Sequence, residues 1–153
     1  MASPFPFSGG NILNASDLNE IGDMETFTPT FNNVTLGASG VVQGRYAQIQ
    51  NLVFYKASFE LGGTGSITGH VSMDLPVGTG DTNTTYQIAS QAWMRPAGFT
   101  IYHAMTYQAS SEVFFYVYDT SGTRASIQNV DATDPATWTS AGSGYVSGWY
   151  LTT

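Results

Sequence analysis

The run VFYKASFELGGTGSITGHVSMDL, residues 53–75, decides the fold class. In its second half Ile67, Gly69, Val71, Met73 and Leu75 alternate with Thr68, His70, Ser72 and Asp74. In its first half Val53, Tyr55, Ala57, Phe59 and Leu61 alternate with Phe54, Lys56, Ser58 and Glu60. Successive side chains of a strand point to opposite sides of a sheet, so a period of two marks a strand with one dry face. Between the halves lies Leu61-Gly62-Gly63-Thr64-Gly65-Ser66, whose glycines suit the positive φ of a hairpin connection.

Working outward, the same alternation and its breakers predict strands near 27–36, 41–50, 52–61, 66–76, 84–94, 98–108, 112–119, 123–130 and 144–152. Eight or nine short strands with turn signals at this spacing predict an antiparallel β-sandwich or jelly roll over residues 26–153. Residues 1–25 differ in kind. Pro4 and Pro6 disfavour helix, and a short helix then reads from an Asn14 cap to Gly22, with Asp17 near its positive end. The result is an arm offering Phe5, Phe7, Leu13, Leu18 and Ile21 as apolar contacts. One strand breaks the alternation: Val113-Phe114-Phe115-Tyr116-Val117-Tyr118 is apolar on both faces, which points to a sheet covered twice, by a second subunit or by a loop of its own chain. With Phe54, Trp149 and Tyr150 adding aromatic area, Phe54, Phe114, Tyr116, Tyr118 and Trp149 become candidates for a subunit interface.

At 153 residues the chain reads as one sheet domain behind its arm, burying roughly 68% of its unfolded surface. Aromatic residues make up 14% and charged residues only 10%, so some aromatic surface is expected to lie against a partner. The net charge of −7 argues against nucleic acid, whose phosphates call for a basic patch. Arg45, Lys56, Arg95 and Arg124 are the only basic residues, and they are scattered along the sequence. With no cysteine there is no disulfide or thiol chemistry. No signal peptide and no apolar run of membrane-spanning length is present, so no membrane partner is expected.

Catalytic constellations do not emerge. His70 lies on the polar face of its strand and reads as a surface residue. Asp74, four residues on, is roughly 13 Å away along a strand, too far for a direct acid/base pair. His103 is in phase with Phe99, Ile101, Met105 and Tyr107, which predicts a buried neutral histidine on an apolar face. Asp119 with Ser121 and Gly122, or Asp131 with Asp134, falls in turns that do not match a calcium loop. No enzyme activity, cofactor or metal is therefore expected. Trp138 in its loop, with Tyr102 and Tyr107, supplies candidate rings for stacking on sugars; the plainer reading has Trp138 plugging one end of the sandwich.

Several segments carry a resemblance. Gly9 to Asn19, Thr28-Pro29-Thr30-Phe31, Asn33-Val34-Thr35-Leu36-Gly37, Gly44-Arg45-Tyr46-Ala47-Gln48-Ile49, Met73-Asp74-Leu75-Pro76-Val77 and Tyr145-Val146-Ser147-Gly148-Trp149-Tyr150 follow one another in that order. In this the chain resembles a β-sandwich module of tailed-bacteriophage virion surface proteins: capsid decoration or cement, head-fibre and tail-fibre proteins. The resemblance implies a non-enzymatic virion structural protein. It would be a homotrimer, attached to capsid or tail proteins through the arm, with the sandwich facing outward from the virion surface. No coiled-coil shaft precedes the sandwich, which favours a capsid decoration or head-fibre protein. The alternative is a tail-fibre or tail-tip module that contacts host glycans.

Overall fold

The computed structural model describes residues 22–81, 90–119 and 126–153 of the chain. The short arm helix and the anchor candidates Phe5, Phe7, Leu13, Leu18 and Ile21 lie outside the described residues. Ten strands are described: β1 (Glu25–Phe27), β2 (Phe31–Thr35), β3 (Val41–Ile49), β4 (Leu52–Glu60), β5 (Ser66–Asp74), β6 (Ser90–Arg95), β7 (Tyr102–Gln108), β8 (Glu112–Asp119), β9 (Ser126–Asn129) and β10 (Ser143–Leu151). All pairings between these strands are antiparallel, in the order β1-β3-β4-β10-β6-β7-β8-β5-β2, with β9 branching from β8. The described residues are all-β, and the sheet curls: Phe31, at one end of the order, packs edge-on against Phe59 of β4 with ring centroids 4.9 Å apart.

The core fills the inside of the curl. On β4 the buried residues are Val53, Tyr55, Ala57 and Phe59, and on β5 they include Ile67, Val71 and Met73, the faces that alternation predicts. Met94, Phe115, Val146 and Tyr150 join it from other strands, and Val130 from just after β9.

Three expectations need correction. The predicted strand at 27–36 is two strands, because Pro29 interrupts it and lacks the N–H a ladder needs. β1 pairs with β3, whereas β2 pairs with β5. Next, β4 and β5 do not form a hairpin: β4 lies between β3 and β10, and β5 lies between β2 and β8. None of Gly62, Gly63 and Gly65 has a positive φ. Their loop is instead pressed against the turn at 36–40, with Gly62 N donating to Leu36 O (2.7 Å) and Gly63 N to Ala38 O (3.1 Å). Finally, β7 begins at Tyr102 and turns the other face inward. Ala104 and Thr106 are buried, whereas Phe99 is 98% exposed and Ile101 is also exposed. Thr106 tolerates burial because its hydroxyl pairs with Ser90 Oγ and donates to Ser90 O.

Tyr150 ties the sheet to the segment after β5. Its hydroxyl donates to Val77 O at 2.8 Å and accepts from Val77 N at 3.0 Å. Burial pushes the phenols of Tyr150 and its ring neighbour Tyr55 up from 10.0 to about 12. The neutral form is thus favoured in the folded state. The stability this confers is complete below pH 10 and is lost as pH rises through about 12. Urea denaturation from pH 8 upward should show stability falling across that window. Tyr150→Phe should cost about 1–3 kcal/mol at neutral pH, by orphaning both Val77 groups, and should flatten the alkaline fall. An unchanged alkaline slope in that variant would remove Tyr150 from the account.

Candidate functional site

Outward-pointing residues of adjacent strands line up in rows, because directly paired residues share a face. One row runs His103, Trp93, Tyr145, Ser58 and Gln43 across β7, β6, β10, β4 and β3. The next runs Tyr116, Met105, Gln91, Ser147, Lys56, Arg45 and Thr26, from β8 to β1. On the other side lies the row Arg95, Ser143, Glu60 and Val41.

Two adjoining depressions occupy this outer face. One, of about 660 Å³, is lined by Thr26, Phe27, Val42, Arg45, Lys56 and Ala57 among others; the other, of about 300 Å³, by Glu60, Trp93, Arg95 and Ser143. They share Gln43, Ser58 and Tyr145, and so form one groove from β1 to β6. Trp93 and Tyr145 stack along its side, centroids 5.8 Å apart and planes at 17°. Arg95 is held in place, its Nε donating to Ser143 Oγ (3.1 Å) and its guanidinium reaching Ala141 O (3.4 Å).

The electrostatics of the groove are unusual for a chain of net charge −7. Arg45 and Lys56 are direct cross-strand partners, a like-charge juxtaposition that disfavours the folded sheet. Neither makes an ion pair or side-chain hydrogen bond among the described residues. All three basic residues that are described therefore face one groove, a feature hidden in the sequence because 50 residues separate Arg45 from Arg95. Only the strand register brings them together.

The expected interface residues divide into two groups. Phe54 and Trp149 are cross-strand partners on the outer face of β4 and β10, 42% and 46% exposed. Phe114, Tyr116 and Tyr118 point outward from β8, with Tyr118 exposed and the other two half-buried. β6 and β7 separate the two groups in the sheet.

Of the ring candidates for sugar stacking, Tyr102 and Trp138 pack against the core. Trp138 lies 5.9 Å from Phe59, and its indole N–H donates to Asp131 O at 2.7 Å. Tyr107 is on the outer face, paired with Phe114.

Both histidines depart from expectation. His103 is exposed opposite Trp93, since β7 buries its other face. His70 is half-buried between the rings of Phe114 (5.3 Å) and Tyr116 (4.9 Å). Its Nε2 lies 3.0 Å from Phe115 O, and since a carbonyl only accepts, that nitrogen carries the proton. The Asp131 carboxylate accepts from Thr133 N, which is the main reason its pKa is lowered. Asp134 N and the Thr133 hydroxyl donate to the same oxygen, and His70 adds a smaller electrostatic effect. On β5 and β8, Asp74 and Glu112 are cross-strand partners bridged by Asn32 Nδ2, at 2.9 and 2.6 Å. No group of three or more potential metal ligands gathers among the described residues.

Comparison with known proteins finds no matching family model, curated sequence or solved structure.

Proposed function

We propose that the chain is a non-enzymatic structural protein of a tailed-bacteriophage virion surface, a capsid decoration or head-fibre protein. On this reading residues 1–25 join it to the particle, the curled sheet is a β-sandwich of jelly-roll type, and copies associate as a homotrimer. β1 begins at Glu25 and is paired with β3, so a deletion that tests the attaching segment stops at residue 24. The observation that carries the reading is the aromatic surface left on the outer face, with Phe54 opposite Trp149. Apolar rings at such positions are removed from water by a partner in working assemblies.

Native mass spectrometry of the purified chain should give a trimer, and Phe54→Ser with Trp149→Ser should give a folded monomer. A monomeric parent chain would refute the self-association. In purified particles, a copy number comparable to that of the major capsid protein supports decoration, and absence from particles overturns the virion reading. The outer groove favours a second reading, a tail module that binds host glycans, for which a low copy number is expected.

A further inference from the structure

The geometry points to the outer groove of β1, β3, β4, β10 and β6 as a binding site for an acidic polysaccharide. The anionic groups would lie on Arg45 and Lys56, with sugar rings along Trp93 and Tyr145. This rests on the second, glycan-binding reading of the same groove and names its ligand class, and it holds whether or not the chain rides on a particle.

Three observations converge. Arg45 and Lys56 are opposed like charges without partners among the described residues, an arrangement that costs stability in the free protein and is relieved when an anion lies between them. The remaining described cation, Arg95, lines the far end of the same groove and offers a second hydrogen-bonding guanidinium there. Between them are a stacked aromatic pair and the small polar side chains Ser58 and Gln43, the mixture that suits hydroxyl-bearing rings. The groove crosses five strands, roughly 19 Å, the reach of several linked sugars rather than of one small anion. Glu60 lies with Arg95 at that end and offsets its charge, so the anionic groups are assigned to Arg45 and Lys56.

Carboxylate and phosphate are the two sources of charge that fit, and the test separates them. Calorimetric titrations of the full chain would use galacturonic acid oligomers, sialyl-lactose and a mannose oligomer bearing phosphate. Each has a neutral counterpart: galactose oligomers, lactose and the unphosphorylated mannose oligomer. At least one acidic ligand should bind, at least about tenfold tighter than its counterpart and more weakly as salt is raised. Arg45→Gln with Lys56→Gln should weaken that binding at least about tenfold. The same variant should leave the melting temperature unchanged or higher, which excludes misfolding as the cause. Trp93→Leu should weaken sugar binding while leaving the salt dependence intact. Binding to none of the acidic ligands, equal binding of the neutral ones, or an unaffected double variant would each overturn the proposal. Equally tight binding of polyglutamate would overturn the assignment to sugars.

Discussion

Gly62→Ala should lower the stability of the protein by more than about 3 kcal/mol, while Gly63→Ala, one residue on, should change it by less than about 0.5 kcal/mol. The contrast lies in what each new methyl would meet. At Gly62 an added Cβ would sit 1.8 Å from Ala38 O, 2.5 Å from Gly40 N and 2.6 Å from Ala38 C, all backbone atoms that cannot rotate away. At Gly63 there is nothing within 4 Å. The loop is fixed on both sides, by Gly62 N on Leu36 O and by Leu61 paired with Ala141 and Gly142. To make room, the two loops must separate and give up those hydrogen bonds. Urea denaturation of the two variants checks this. A Gly62→Ala protein within 1 kcal/mol of the parent would mean the loops do not meet as described.

Phe59→Ala should cost about 3–5 kcal/mol, the range for a large aromatic removed from a core that cannot collapse around the space. Phe59 is 1% exposed and joins three parts of the molecule. Its ring meets Phe31 of β2, Trp138 of the loop before β10, and the bare backbone of Gly144, where an added Cβ would lie 2.5 Å from Phe59 Cε1. A Phe54→Ala change on the opposite face of the same strand should cost less than about 1 kcal/mol in the monomer. Loss of Phe59 should also shift the Trp138 emission to longer wavelength as that ring meets water. Equal destabilisation by the two changes would mean β4 does not separate an inner face from an outer one.

These two phenylalanines also show what the sequence disclosed. On β4 and β5 large apolar residues alternate with polar ones, so period two assigns the faces correctly. On β7 the large residues Met105 and Tyr107 are on the outside while Ala104 and Thr106 are inside, so the same rule picks the wrong face and misplaces His103. Alternation also says nothing about which strands pair. The glycines at 62–65 therefore read as a hairpin, although they serve close contact between two loops. The groove was illegible for the same reason. Its cations come from three strands and acquire a common face only through register, while the aromatic excess that hinted at an outer surface was visible in composition alone.

The order of the strands carries a mechanical consequence. β1 and β2 close the two ends of the nine-strand path, yet they are neighbours in the chain, joined only by Thr28, Pro29 and Thr30. Eight spacings of about 4.8 Å would hold the edges of a flat sheet about 38 Å apart. The four residue steps from Phe27 to Phe31 reach no more than about 14 Å. A flat sheet with this pairing is therefore beyond the reach of the chain, and the link acts as a drawstring. It holds the two edges together independently of side-chain packing, and it makes the loss of either edge strand slacken the whole curl.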